Sequence, residues 1–327
     1  MSPRRTLALL LAALPLAVAL AVAIGSVRLP LAGVLGLAPL DPAHHTILWS
    51  VRLPRVLLAA VVGGGLAVVG ATLQAVFRNP MADAGLLGVS SGAALGAVLA
   101  SSAGWAAGVF LALPAAAFGG ALLALVLVYA LAHVAGRPTL HGLLLTGLAV
   151  SALAGAALSM LLVATEEFRV KTVLFWLAGG LEGRSWPHLA LGSVFVLGGC
   201  LLLWSFARPL DLLSLGEDEA ASLGLPVHAT RLAFFAGAAL VAGAATAVAG
   251  SVPFVGLMAP HALRPSVGSL SRRLLPAAFL GGATLVVLAD LGARSLSGRY
   301  ELPLGSVTAF LGAPYFLMAV RRGEERG

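Results

Sequence analysis

Glu217-Asp218-Glu219 is a run of three acids among small and apolar residues, and Arg52 and Arg55 stand three apart in "VRLPR". Side chains of these kinds form charge-assisted hydrogen bonds that orient a charged partner. Neither set pairs with a catalytic base or nucleophile. Asp290 and Arg294 have the i,i+4 spacing of an ion pair on one helix. The histidines, His44, His45, His133, His141, His188, His228 and His261, show no ligand spacing beyond the adjacent His44-His45, which reads as an outer loop without a metal. Cys200 is the single cysteine and lies inside an apolar run, so the chain has no disulfide framework or thiolate metal site of its own. The single lysine, Lys171, follows no Gly-rich loop, and neither G-x-x-x-x-G-K-[ST] nor H-E-x-x-H occurs. The chain is not itself a P-loop ATPase.

The elements that must carry these few groups are greasy. Of 327 residues, 60% are hydrophobic and 10% charged, and the mean hydropathy is +1.01. A soluble domain of this size needs far more polar surface, so the chain is read as an all-α, multi-span membrane protein. A crossing helix needs about 20 apolar residues. Eight stretches meet that: 6–26, 54–77, 105–132, 141–165, 188–207, 229–250, 274–294 and 305–320. Two shorter ones, 86–101 and 254–267, are interrupted by Gly, Pro, Ser or His, which is tolerated at membrane depth only where protein or water surrounds them. Ten spans result. The Arg4-Arg5 pair before the first is read as flanking an uncleaved span rather than a signal peptide.

With ten spans both ends share one side. Arg4, Arg5, Arg78, Arg137, Arg208, Arg231, Arg264, Arg272, Arg273, Arg321, Arg322 and Arg326 then lie there too, and the positive-inside rule makes it the cytoplasm. The net charge of +7 reads as this bias at a lipid surface, not as nucleic-acid binding. Arg52, Arg55 and Arg294 fall at the opposite edges, where the rule gives them no reason to be; snorkelling anchors are one account of them.

The order long, short, long, long runs over 54–165 and again over 229–320. The second copy begins five spans after the first, so the two are inverted, the arrangement that marks a transport pathway. "FRNPMADAGLLGVSSGAALGA" (77–97) then falls into place. Asn79-Pro80 ends a helix, Asp83 is expected in water, and Gly85, Gly88, Gly92 and Gly96 begin a short span able to approach its neighbours closely. A tight turn before a well-packed helix and a constriction on a pathway both fit. The longest interior loop, 208–231, carries Ser214-x-x-Glu217, a capping-box pattern. Glu217, Asp218 and Glu219 fall in the first helical turn, Ala220, Ala221 and Leu223 form an apolar side, and Gly224 with Pro226 ends the helix. Such a short helix needs a surface to pack on, either its own chain or a partner.

Four stretches in order, "RLPRVLLAAVVGGGLAVVGATLQAVFRNPMADAGLLGVSSGAALGA", "LSLGEDEAASLGLPV", "VPFVGLMAPHALRPSVG" and "ELPLGSVTAFLGAPYFLMAVRR", closely resemble the bacterial permeases that import iron-siderophores, haem and vitamin B12, the FecCD-type ABC importer subunits. The resemblance runs from about residue 50 to the C-terminus. It implies a ten-span type II importer fold in the inner membrane, with N- and C-termini cytoplasmic. It implies a homodimer with cargo passing along the interface, two ATP-binding cassette subunits that hold the ATP and Mg, and a periplasmic substrate-binding protein; this chain would carry no cofactor of its own. By the same resemblance, residues 215–223 (Glu217, Asp218, Glu219, Ala220 and Leu223) form the coupling helix. Asn79 and Met81 form a cytoplasmic gate with Thr139 and Leu140 as a second constriction, and Arg52, Arg55 and Arg294 dock acidic residues of the binding protein. Residues 168–180 match the family's short outer helix, an outer gate. The segment "RPSVGSLSRRLLP" lacks the acidic or His residue common in relatives, which weakens any choice of substrate from this region. His261 reads as a packed, hydrogen-bonded histidine rather than a haem ligand. The expected cargo is an iron-siderophore or haem, with cobalamin as the alternative. An ion-coupled secondary transporter is a competing class, but Asp290 is the main ionisable group within the spans.

Overall fold

A computed structural model describes residues 2–324 apart from 26, 28, 35, 106–110, 135–139, 165–166 and 297–300. Ten helices traverse it: α1 (Pro3–Ala23), α4 (Leu53–Val76), α5 (Val89–Ser102), α6 (Ala112–Val134), α7 (Leu140–Ala164), α9 (Trp186–Ser205), α12 (Val227–Ala249), α13 (Val255–Val267), α14 (Ser271–Ser295) and α15 (Leu304–Glu324). Between them lie the short helices α2 (Leu31–Val34), α3 (Pro42–Thr46), α8 (Glu167–Leu177), α10 (Ala207–Leu215) and α11 (Glu217–Ser222). No strand occurs among the described residues. The end where α1 begins is called the terminal end below, and the opposite one the far end.

Among the described residues, seven helical runs are long and apolar enough to cross a bilayer. The eighth expected stretch, 305–320, falls in α15, of which Leu304–Met318 is a shorter apolar run among the described residues. His44-His45 lies in α3, not in a loop; its N-cap Asp41 accepts a hydrogen bond from the His44 amide. At about 1.5 Å per residue, α5 and α13 reach only about 20 Å, short of the ~30 Å hydrocarbon core. One turn of 3-10 helix, Ala84–Leu87, precedes α5, and non-helical chain precedes α13; neither breaks the requirement that irregular backbone at membrane depth be surrounded by protein or water.

Small residues set the packing. The most apolar stretches of the runs through α4 and α12 are each 78% buried, against 17% for α7, so α4 and α12 form the centre and α7 the periphery. A Cβ on Gly92 would strike the Gly120 carbonyl oxygen and one on Gly120 would strike that of Gly92; Gly63 of α4 and Gly282 of α14 are related in the same way. These backbone contacts explain why Gly is used despite its poor helix propensity.

The repeat is visible in the pairings. α4 packs on α13 and α14 as α12 packs on α5 and α6, while α5 meets α6 and α7 as α13 meets α14 and α15. Both short helices also start from a left-handed residue, Gly88 (φ 71°) for α5 and Phe254 (φ 67°) for α13. A bulky residue there is strained. Facing them, Gly147 of α7 presses on the Leu86 backbone and Gly312 of α15 on the Phe254 side chain, each with no room for a Cβ.

Candidate functional site

At the terminal end, α9 breaks at Phe206 and continues as α10, whose Ala207, Leu210 and Leu213 are buried. The sequence reading had no helix here; the signal was Leu210 and Leu213 at i,i+3. α11 follows after Gly216, whose φ of 146° suits only glycine. The expected capping box does not form. Gly216 is the N-cap, and the Ser214 hydroxyl instead donates to the Asp211 carbonyl at 2.6 Å, since a helix already in progress supplies a closer acceptor. Glu217, Asp218 and Glu219 occupy the first turn of α11 and are exposed, and Ala220 alone of the helix is buried. Leu223 is 62% and Leu215 59% exposed. The apolar side, expected to pack either on this chain or on a partner, is thus turned outward, apart from Ala220.

Two bonds tie this surface to the bundle. Arg231 Nη1 donates to Glu217 Oε1 at 2.6 Å, and the Ser271 amide at the start of α14 donates to Asp211 Oδ1 at 2.8 Å. Neither pairing was legible in the sequence.

Asn79, expected at the gate, lies close by. Asn79 Oδ1 accepts from the Met81 amide at 2.9 Å, closing a turn after Arg78, itself left-handed (φ 49°). A cavity of about 270 Å³ is lined by Arg78, Asn79, Pro80, Ser214, Arg264 and Ser271 among others, so Asn79 and the segment before α11 share one space. Met81 is 46% exposed and Leu140, which begins α7, is half-buried. Thr139 lies outside the described residues. Asp83, expected in water, is half-buried, and its Oδ1 accepts from the Gly85 amide at 2.6 Å. His261 meets Tyr315 edge-on, with ring centres 6.1 Å apart.

At the far end the three arginines turn inward. Arg52 and Arg55 are only 4% and 8% exposed, which excludes snorkelling. Arg52 Nη1 donates to the carbonyls of Val22 (2.6 Å) and Ala23 (3.0 Å), and its Nη2 donates to that of Val27. Arg294 Nη2 donates to Ala21 O at 2.7 Å. Together they satisfy the orphan carbonyls that end α1. Asp290, 1% exposed, accepts from Arg55 Nη2 at 2.9 Å and Nε at 3.1 Å. It lies 3.1 Å from Arg294 Nε, the i,i+4 pair expected, although that N–H is not aligned on it. Glu301, not foreseen, takes the other edge of Arg55 with contacts of 2.8 and 2.9 Å. It lies 246 residues away, beyond any local signal.

The profile of the FecCD transport family matches residues 11–322. The chain belongs to that family. The hemin transport system permease protein HmuU of Yersinia pestis is 40% identical over 279 residues, covering 85% of this chain and 84% of that one. The cobalamin import system permease protein BtuC of Halobacterium salinarum is 40% identical over 282 residues, covering 86% and 75%. A solved chain of a metal-chelate type ABC transporter, described as inward-facing, superposes with a TM-score of 0.89 at 33% identity, covering 98% of this chain and 99% of that one. The FecCD-family chain is therefore an all-helical, multi-pass permease with the fold the resemblance implied.

Proposed function

We propose that this chain is the permease subunit of an ATP-driven importer for a bulky metal chelate, an iron-siderophore or haem. The full-length superposition on a metal-chelate type ABC transporter carries the reading. Two copies pair with the pathway between them, and the terminal end lies in the cytoplasm of a bacterial inner membrane. Two ATP-binding cassette subunits, holding ATP and Mg, receive α11 in a groove: its acids and Leu223 are exposed while Ala220, Arg231 and Asp211 root it. α14 is the transmission rod. It is bound to Asp211 at one end and to Arg55 through Asp290 at the other, over 25 residues, about 37 Å. Nucleotide-driven movement of α11 thus reaches Asn79 through the shared cavity and the far end through α14. A periplasmic binding protein delivers cargo there, and Arg52, Arg55 and Arg294 shape the surface that it meets. Met81, with Thr139 and Leu140, completes the cytoplasmic constriction. Ion coupling is disfavoured, because Asp290 is already neutralised by two arginines.

Cobalamin is the second reading, favoured by relatives named for haem and for cobalamin at the same 40% identity. Growth of a deletion strain on single iron-chelate, haem or cobalamin sources separates them. The transporter class is tested by reconstitution: uptake requires the ATPase subunit, stops with vanadate, and is lost on deletion of residues 217–222. Uphill uptake by the purified chain without nucleotide would refute it.

A further inference from the structure

Between α4, α9 and α14, toward the terminal end, lies an apolar groove of about 370 Å³. Val68, Cys200 and Leu275 line it and are buried, while Leu201 and Trp204 stand exposed at its rim. Leu280 and Val68 lie about 12 Å along α14 and α4 from the terminal-end limits of those helices, Ser271 and Val76. The groove therefore runs from near the helix ends into the hydrocarbon layer. Pro276, on its α14 wall, shapes the mouth. It has no N–H, so the Arg272 carbonyl four residues back loses its helical donor. The Trp204 indole N–H donates to that carbonyl instead, at 3.1 Å, and ties α9 to α14 at this level. Arg272 stands at helical spacing from Leu275, Pro276 and Phe279 of the groove, and Arg273 from Pro276 and Leu280, which places both on the groove's side of α14. Both are exposed, as is Arg208, four residues beyond Trp204. Among the described residues none of these three arginines has a carboxylate within ion-pair distance. Asp211, the acid beside them, accepts from the Ser271 amide at 2.8 Å.

We infer that this groove holds an acyl chain of an anionic phospholipid from the leaflet at the terminal end, its phosphate received by Arg272 and Arg273 with Arg208 adding to the positive field. The lining favours a hydrocarbon occupant. Its indole N–H is spent on Arg272, and the Cys200 thiol is only a weak donor, so a peptide or a polar ligand would leave its own groups unmet there. The mouth favours a negative headgroup, because unneutralised arginines beside a membrane span attract anionic lipid. A second copy of the chain fits less well. Closed pairs are twofold-symmetric, so this face would meet itself and set the arginines against their own counterparts with no acid between them. The inference requires only that α4, α9 and α14 are embedded in a bilayer, and it stands whether or not the chain imports a chelate.

Quenching by lipids brominated on the acyl chain tests this. The full chain is placed in phosphatidylcholine nanodiscs carrying a rising fraction of brominated phosphatidylglycerol or brominated phosphatidylcholine. The Trp204 signal is the difference between wild type and Trp204→Phe, and the Trp186 signal, from the far end, is obtained in the same way with Trp186→Phe. Trp204 should be quenched at about fivefold or more lower mole fraction by the anionic lipid than by the neutral one, whereas Trp186 should show no such preference. The double variant Arg272→Gln with Arg273→Gln should lose the preference, and Arg272→Lys with Arg273→Lys should keep most of it. Equal quenching of Trp204 by the two lipids, the same preference at Trp186, or a preference unchanged in the glutamine variant overturns the site. Water-soluble glycerol phosphate, which has the headgroup but no chain, should not relieve the quenching; if it does, the arginines recognise phosphate alone and the groove is not a lipid site. If neither lipid quenches Trp204 until the protein is dissociated to monomers, a second copy covers the groove and the assignment to lipid is wrong.

Discussion

Replacing Asp290 by Asn removes one negative charge from beneath two guanidinium groups. Asp290 is 1% exposed and the side chains of Arg55 and Arg294 are 10% and 7% exposed, so water cannot substitute. In the native cluster two arginines face Asp290 and Glu301; in the variant, Glu301 alone remains, and its side chain is 36% exposed. Breaking a buried pair by deleting one partner costs about 3–5 kcal/mol, whereas a pair as open as Arg55–Glu301 contributes only about 0–1 kcal/mol. Asp290→Asn should therefore destabilise by several times as much as Glu301→Gln. Reversible denaturant unfolding of the purified chain in mixed micelles, followed by tryptophan fluorescence, measures both. Adding Arg55→Met to Asp290→Asn should recover part of the loss, because the orphaned charge goes with it. If Asp290→Asn stays within about 0.5 kcal/mol of wild type, the cluster is not a buried ion network and the rod assigned to α14 has no anchor at the far end.

Three further outcomes follow from the packing and from α11. Gly312→Ala should cost about 1–3 kcal/mol, since its Cβ meets the Phe254 side chain, whereas Gly292→Ala, with open space around it, should gain up to about 1 kcal/mol; the same unfolding assay compares them. Leu223→Asp, at a site 62% exposed, should leave stability within about 0.5 kcal/mol yet reduce nucleotide-driven uptake at least roughly tenfold, as loss of a buried leucine at a partner surface implies; unchanged uptake would place α11 outside the coupling route. Arg52→Glu with Arg55→Glu should unseat α1 from α14, exposing the first helix to limited proteolysis. Unaltered protease resistance would show that the α1 carbonyls do not depend on Arg52.

Composition and span order by themselves determined that the chain is all-helical and membrane-embedded, that two short broken segments recur at matching places, and that an acid-tipped helix projects near residue 217. These are local or periodic properties: a bilayer demands long apolar helices, and glycine, proline and acid runs punctuate them within a few residues. The partners of charged side chains were decided only by the tertiary structure. Arg52, Arg55 and Arg294 were readable as misplaced charges, but not as groups spent on the end of α1 and on Asp290. Glu301 finds Arg55, and Asp211 finds Ser271, because helices remote in sequence are brought side by side by glycine contacts such as Gly63 on Gly282. An ion pair or an orphaned donor is a matter of a few ångströms between distant segments, and packing sets those distances.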